Sequence, residues 1–136
     1  VGLKYMDLDE LLRTSDIVSL HLRATPEAHH FLNRERLALL KPTAFVVNTA
    51  RDALIDESAL VEWLREKRIA GAGLDVYETE PLPAGHPLAT LPNVLLTSHC
   101  AGMTPDSNLI GLAMAAENVE LFLKGSPRHV VAGPGK

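Results

Sequence analysis

The sequence has 136 residues, of which 46% are hydrophobic, and it carries a formal net charge of −4 with an isoelectric point near 5.8. This apolar share is enough to bury one core and argues against a disordered chain. The charge gives no broad positive field, which argues against a nucleic-acid surface or a patch for anionic membranes. We therefore expect a small-molecule partner.

Cysteine usage and hydropathy bear on the compartment. Cys100 is the single cysteine, so an internal disulfide is impossible and a reducing, cytoplasmic environment is expected. No apolar run approaches the roughly 18 to 20 residues that span a bilayer. The amino end also lacks a basic segment followed by an apolar one, so we expect neither a membrane helix nor a secretion signal.

The first third of the chain alternates between helical and strand patterns. Leu8, Leu11 and Leu12 share one face of a short helix in "MDLDELLRTS", and "DIVSLHL" has the apolar, β-branched composition of a strand. "TPEAHHFLNRERLALLK" predicts a turn followed by a helix that is capped near Asn33 and closed by Pro42.

The same alternation continues to the end of the chain. "TAFVVNT" predicts a strand, and Asp56 is placed to cap the helix "ESALVEWLREKR", whose apolar stripe predicts where it docks. "IAGAGLDVY" and "NVLLTSH" predict two further strands, and a last helix is expected from Pro105 to about Lys124. The predicted stripe consists of Ala59, Leu60, Trp63 and Leu64.

Strands that are apolar on both faces, separated by amphipathic helices, indicate an α/β fold with a covered parallel sheet. In such sheets ligands bind beyond the carboxyl ends of the strands. Arg51, Glu80 and His99 each follow a different predicted strand at this edge, and Asp75 ends one of them. A histidine near a carboxylate is favoured in its protonated form, and an arginine binds a carboxylate through two hydrogen bonds. The set therefore suits a carbonyl compound with an adjacent acid group.

Simpler explanations exist for each of these residues alone. An arginine after a strand is commonly a surface ion pair, and a histidine is commonly a hydrogen-bonded structural residue. Three groups of complementary chemistry in loops at one edge favour a catalytic role over these explanations.

The segments "SDIVSLH", "LLKPTAFVVNTARDALID", "GAGLDVYETEP" and "NVLLTSHCAG" resemble the carboxyl-terminal part of the D-isomer-specific 2-hydroxyacid dehydrogenases, in order and with compatible spacing. The resemblance covers nearly the whole chain. It implies a partial Rossmann-type, doubly wound parallel sheet with helices on both faces, lacking the first strands of the nucleotide domain. It also implies a carboxyl-terminal half of a dinucleotide-binding domain in residues 1–103, followed by a return helix and tail in 104–136 that lead toward a substrate domain.

The resemblance also implies a reaction, a hydride transfer between NAD or NADP and C2 of a D-2-hydroxy or 2-keto acid. His99 is then the acid/base, Glu80 orients and charges it, and Arg51 binds the substrate carboxylate. We also expect a homo-oligomer, most simply a dimer, since an unpaired apolar strand edge favours association. The implied cofactor contacts are Thr25, Thr49, Ala50, Arg51, Asp75, His99 and Gly102.

Three residues depart from the family pattern. Asp52 stands where glycine is common, and its charge is placed to compete with the substrate for Arg51. Arg23 and Ser98 stand where prolines are frequent, which affects loop geometry.

The glycine fingerprint G-x-G-x-x-G of nicotinamide dehydrogenases is absent. The segment "GAGLDV" has two glycines at the right spacing, but it leads into a strand instead of opening a helix and has Val76 in the third glycine position. We therefore expect a fragment of a dehydrogenase, with "VGLKYM" as the last strand of the missing half and "DIVSLHL" left with an open edge. An inactive truncated dehydrogenase that acts as a dimerisation or binding module is the alternative.

Other chemical groups are interpreted as structural. His29 and His30 are expected to point apart without a complete ligand set, so no metal site is predicted. Cys100 is expected to be buried, since consecutive residues of a strand face opposite ways. His21 suits a cofactor contact and a structural role about equally.

Overall fold

The computed structural model describes residues 2–131, which form two compact units divided after Cys100. The first unit is built on one sheet of four parallel strands in the order β1-β2-β3-β4. The predicted α/β class and parallel sheet are confirmed. The strands are β1 (Ile17–Leu20), β2 (Phe45–Asn48), β3 (Gly71–Leu74) and β4 (Val94–Leu96).

Within the described residues five helices accompany the strands, and a side-chain cap begins each of them. Asn33 and Asp56 cap their helices as predicted, accepting the backbone N–H groups of Arg36 and Ala59 at 3.0 Å each. Short 3₁₀ turns lie at Pro26–Ala28 and Asp52–Leu54. The helices are α1 (Leu8–Thr14), α2 (Arg34–Leu37), α3 (Glu57–Arg65), α4 (Pro87–Thr90) and α5 (Pro105–Leu123).

The core lies against one face of the sheet. Residues that pair across parallel strands point to the same side, so the register divides each strand into two sets. The set that contains Val18, Val46 and Ala72 is buried, at 6%, 0% and 4% exposure. The opposite set remains open in this chain, with Ile17 66% and Phe45 50% exposed. Burial of the described sheet is therefore one-sided.

The helices supply the other wall of this core. The predicted stripe of α3 is buried throughout, and Leu12 of α1 and Leu37 of α2 join the same cluster. Each of these leucines is removed from water almost completely, which stabilises the fold by about 1.5–3 kcal/mol per side chain. The buried stripe fixes the position of α3, and thereby of its first residue, Glu57.

The second unit contains α5. Thr104 and Ser107 form a capping box at its amino end, and Gly125 follows its carboxyl end with φ of 73°. No residue of the helix is buried. Its apolar side chains are thus largely exposed.

Two further expectations concern the chain start and membranes. Residues 2–6 of the predicted amino-terminal strand are not a strand in the structure, and Val1 lies outside the described residues. The expected strand is therefore not observed.

Among residues 2–131, no helix has both the length and the apolar character needed to cross a bilayer.

Candidate active site

The carboxyl ends of the four strands meet at one edge of the sheet, and the predicted chemical residues follow them there. Arg51 lies three residues beyond β2, Asp75 directly after β3, and His99 three residues beyond β4. Glu80 lies in the long connection between β3 and α4. The parallel topology therefore gathers these residues at the edge where ligands bind in such sheets.

Glu80 and His99 are in direct contact. Oε2 of Glu80 lies 2.8 Å from Nδ1 of His99, and Oε1 of Glu80 accepts the backbone N–H of Tyr77 at 3.1 Å. These two hydrogen bonds, first the one to His99, hold the pKa of Glu80 below its ordinary value. Glu80 is therefore ionised at neutral pH. Nε2 of His99 has no hydrogen-bond partner among the described residues, so it is available to a ligand.

The Glu80–His99 pair lines a cavity of about 740 Å³. Its wall combines the two polar side chains with apolar groups, a mixture typical of sites for small molecules. The cavity volume also lies in the range of such sites. The remaining lining residues are Tyr77, Pro81, Leu82, Leu96, Thr97, Ser98 and Cys100.

The prediction that Cys100 is buried is wrong. Cys100 is exposed and lines the same cavity as His99. The alternation expected of a strand ends before this point, because β4 stops at Leu96 and His99 adopts a left-handed φ of 53°. This turn of the backbone brings two consecutive side chains to one cavity.

Asp75 is a buried carboxylate, only 2% exposed, at the end of β3. Its Oδ1 accepts the hydroxyl of Thr97 and, at 2.9 Å, the backbone N–H of Cys100. Both donors flank His99, so Asp75 fixes the segment that carries the imidazole. The predicted role of Asp75 toward a cofactor stays a prediction.

Tyr77 is a supporting residue that the sequence analysis did not single out. Its hydroxyl lies 2.9 Å from the carbonyl of Leu74 and 2.6 Å from that of Thr97, bridging the ends of β3 and β4. Its backbone N–H also orients Glu80. The only sequence signal is its position just after a predicted strand, between Asp75 and Glu80.

Arg51 lines a second cavity, of about 570 Å³, at the ends of β1 and β2. Thr25, Thr49 and Ala50, all predicted to contact a cofactor, line it as well. The structure thus brings these four residues together, and the Glu80–His99 pair lines a different cavity. The other lining residues are His21, Leu22, Arg23 and Ala24.

Hydrogen bonds from Asn48, a buried residue that was not predicted from the sequence, hold the loop that carries Arg51. The Asn48 side chain donates to the carbonyl of Arg51 at 2.8 Å and accepts the N–H of Ala50 at 3.0 Å. The Arg51 guanidinium donates to the carbonyl of Ala50 at 2.6 Å. Among residues 2–131 no carboxylate pairs with it, and Asp52 belongs to the 3₁₀ turn that follows.

Gly102 and His21 are the remaining residues for which a cofactor contact was considered. Gly102 belongs to the second unit, where its carbonyl accepts the hydroxyl of Ser107. His21 lines the Arg51 cavity, with Nε2 2.8 Å from the hydroxyl of Ser19. These positions leave the predicted cofactor contact of Gly102 untested.

The adjacent histidines do not point apart as expected. The rings of His29 and His30 stack with centroids 3.9 Å apart, because His30 has a positive φ of 50° that turns its side chain back. Within the described range, no group of three or more His, Cys, Asp and Glu side chains is placed to hold a metal ion.

Comparison with known proteins connects this geometry to a family. Residues 1–101 match the family model described as "D-isomer specific 2-hydroxyacid dehydrogenase, NAD binding domain". A glyoxylate reductase of Thermofilum pendens is 47% identical over 124 residues, which are 91% of this chain and 37% of that protein. The chain thus spans about two fifths of the length of this relative.

Solved structures show the same fold. An acyclic imino acid reductase in complex with NADPH and D-Arg superposes with a TM-score of 0.87 at 35% identity, covering 93% of this chain and 40% of the other. D-lactate dehydrogenase with NAD+ from Lactobacillus jensenii gives 0.86 at 30% identity, covering 95% and 43%. Together with the family match, this shows that the chain belongs to the D-isomer specific 2-hydroxyacid dehydrogenase family, as part of its NAD-binding domain.

Proposed function

We propose that this chain carries the acid/base residues and the nicotinamide-side wall of an NAD(P)-dependent dehydrogenase that interconverts D-2-hydroxy acids and 2-keto acids. The observation that carries the proposal is the 2.8 Å contact between Glu80 and His99 in a cavity at the carboxyl edge of a parallel sheet. Glyoxylate is the first substrate to test, because the relative from Thermofilum pendens is named a glyoxylate reductase.

The Arg51 cavity suits a nicotinamide dinucleotide in position, size and charge. It lies beyond the ends of two neighbouring parallel strands, where dinucleotides bind in folds of this type. Its volume of about 570 Å³ is that of a small-molecule site, and Arg23 and Arg51 make its wall cationic. Thr25, Thr49 and Ala50 are proposed to contact the cofactor there. When bound, the cofactor supplies or accepts the hydride.

His99 is proposed to move the proton. With Nδ1 directed at the Glu80 carboxylate, the open Nε2 donates a proton to the carbonyl oxygen of a 2-keto acid during reduction. The same atom accepts the hydroxyl proton in the reverse direction. Glu80 remains an acceptor throughout, since its lowered pKa keeps it ionised at neutral pH. Its hydrogen bond to Tyr77 fixes the direction from which it acts on the ring.

Arg51 is proposed to bind the substrate carboxylate. Its guanidinium is not engaged by any carboxylate of the described chain, so an incoming acid does not have to displace one. The planar guanidinium presents paired donors that match a carboxylate. The expected competition from Asp52 has no counterpart in the described ion pairs.

We also propose a homo-oligomer in the cytoplasm. The exposed apolar side chains of α5, such as Leu112 at 70% and Phe122 at 71%, form a surface that a second copy can cover. This surface equally supports the second candidate function, a dimerising module without turnover. The free, exposed Cys100 supports a reducing compartment.

The test is to mix the protein that contains this chain with NADH or NADPH and with glyoxylate, hydroxypyruvate or pyruvate, and to follow nicotinamide absorbance and fluorescence. We expect oxidation of the nucleotide. His99→Asn removes the imidazole, and asparagine tolerates the left-handed backbone at this position. It is expected to lower kcat at least about 100-fold and to leave the Kd of the nucleotide nearly unchanged.

His129→Asn is the matched control. His129 also has a positive φ of 53°, is exposed and is not proposed to contact substrate or cofactor, so the same substitution there is expected to leave kcat unchanged. Equal turnover of the His99→Asn variant and the wild type contradicts the acid/base role. If the protein neither binds nor oxidises the nucleotide, the result favours the dimerising module.

A further inference from the structure

The loop that carries Glu80 is held by a residue of α3. This loop, residues 75–86, connects β3 to α4. Glu57, the first residue of α3, accepts the backbone N–H of Glu78 on Oε2 at 3.3 Å. Its Oε1 lies 3.2 Å from Nε2 of His86 at the other end of the loop. One carboxylate therefore contacts the loop on both sides of Glu80.

His86 is suited to this contact by its position at the start of α4. Its Nδ1 accepts the backbone N–H of Leu88 at 3.3 Å, which makes His86 the cap of that helix. Because Nδ1 is an acceptor, the proton of the neutral ring lies on Nε2, facing Glu57. The side chains of His86 and Glu57 are 22% and 18% exposed, so this contact is more protected than the surface ion pairs of the chain.

Glu57 is also a fixed reference point. The buried stripe of α3 anchors its helix to the core, and Asp56 caps that helix immediately before Glu57. The Glu57 side chain borders a small cavity of about 90 Å³, where Glu78 of the loop and Asp52, next to Arg51, also lie. Glu57 thus lies where the connections that follow β2 and β3 approach each other, outside the cavity of the Glu80–His99 pair.

We propose that Glu57 is a positioning residue that, through Glu78 and His86, holds the loop so that the Glu80 carboxylate meets Nδ1 of His99. Glu57 does not line the cavity of the Glu80–His99 pair, and within residues 2–131 it forms no hydrogen bond or ion pair with either member. It acts only through the backbone and the helix cap. The geometric part of this inference stands on the contacts of the chain itself, whereas its effect on turnover rests on the proposed function.

A pH titration of the Glu80 carboxyl, followed by carbon-13 NMR of the protein, reports the contact between Glu80 and His99 directly. In the wild type, hydrogen bonds from His99 and Tyr77 lower the pKa of Glu80. If Glu57→Ala releases the loop, these bonds weaken and the pKa of Glu80 rises toward its ordinary value. Loss of the Glu57 charge alone has the opposite sign, because removal of a nearby negative charge favours ionisation of Glu80. The direction of the change therefore separates positioning from direct electrostatics.

Two variants complete the test. His86→Asn is too short to reach Glu57, yet asparagine is a good helix cap, so this variant removes the contact and keeps α4. It is expected to raise the pKa of Glu80 less than Glu57→Ala does, since the contact with Glu78 remains, and it decides the matter if Glu57→Ala does not fold. Glu62→Ala is the matched control, because Glu62 lies on the same helix and loses an ion pair to Arg34 away from the loop.

An unchanged or lowered pKa of Glu80 in Glu57→Ala and His86→Asn overturns the proposal, as does an equal rise in Glu62→Ala. In the enzyme, displacement of Glu80 is expected to lower kcat by up to about 100-fold with little change in the Kd of the nucleotide. A raised pKa of Glu80 with unchanged kcat supports the positioning role of Glu57 and contradicts the proposed catalytic role of the pair.

Discussion

The buried carboxylate of Asp75 accepts the backbone N–H of Cys100 at 2.9 Å, which ties the end of β3 to the segment that carries His99. Asp75→Ala leaves this N–H and the hydroxyl of Thr97 without their acceptor. We expect the free energy of unfolding to fall by about 1–3 kcal/mol in urea denaturation. Asp75→Asn keeps an acceptor oxygen and is expected to lose less.

Asp9→Ala is the control for Asp75→Ala, since the Asp9 side chain forms an exposed pair with Arg13 at 3.5 Å and has no other ion pair within residues 2–131. Its expected cost is within about 0.5 kcal/mol. Equal losses in the two variants contradict the supporting role of Asp75.

The Glu80–His99 contact predicts how stability depends on pH. The pKa of Glu80 is below its ordinary value of 4.5 in the folded chain, so the contact stabilises the fold at neutral pH. This stabilisation is lost as the pH falls below 4.5 and through the lowered pKa of the folded state. Urea denaturation at a series of pH values measures the free energy of unfolding. That of Glu80→Gln is expected to fall furthest below that of the wild type near neutrality. A difference that grows toward acid pH contradicts the prediction.

Two glycines of β3 offer a matched test of packing. A Cβ at Gly71 meets the carbonyl oxygen of Asn93 at 2.6 Å and the Phe45 ring at 3.0 Å, whereas a Cβ at Gly73 has no neighbour within 4 Å. We expect Gly71→Ala to lower the free energy of unfolding by about 1–3 kcal/mol. Gly73→Ala is expected to have a much smaller effect. Thermal unfolding of the two variants distinguishes them, and an equal loss contradicts this account.

The exposed apolar side of α5 predicts self-association. Leu112, 70% exposed, lies about 100° around the helix from the neighbouring Ala113. Leu112→Glu is expected to shift the protein to a smaller species in sedimentation experiments, because it places a charge on the apolar side. Ala113→Glu adds the same charge near Glu117 and Glu120 and is expected to leave the assembly unchanged. A wild-type protein that sediments as a monomer contradicts the proposed oligomer.

The fold was largely predictable because its signals are local. The caps Asn33 and Asp56 and the stripe of α3 are written in residues a few positions apart, and the structure has them as predicted. The observed strands are shorter than the apolar runs. Runs such as "IAGAGLDVY" continue into loops beyond the last residue that pairs with a neighbouring strand. The one-sided burial of the sheet was not predictable, because apolar residues stand on both faces of the strands.

The candidate site was only partly predictable. The strand-end rule places Arg51, Glu80 and His99 at one edge, and Glu80 and His99 do meet. The rule cannot assign them to cavities, and Arg51 lines a different one from His99. The positive φ of His99 has no glycine or asparagine to signal it, so the exposure of Cys100 was missed. Contacts such as Asp75 with Thr97 join residues 22 positions apart and become visible only in three dimensions.

The phenol of Tyr77 gives this protein an intrinsic optical reporter. Burial raises the pKa of Tyr77, although its hydrogen bond to the carbonyl of Thr97 opposes the shift, whereas Tyr5, the other tyrosine, is 96% exposed. Phenolate absorbs in the near ultraviolet, so an alkaline spectrophotometric titration contains a delayed component that belongs to the bridge between β3 and β4. Loss of that delay signals that the two strand ends have separated, and it does so without a label, a substrate or a nucleotide.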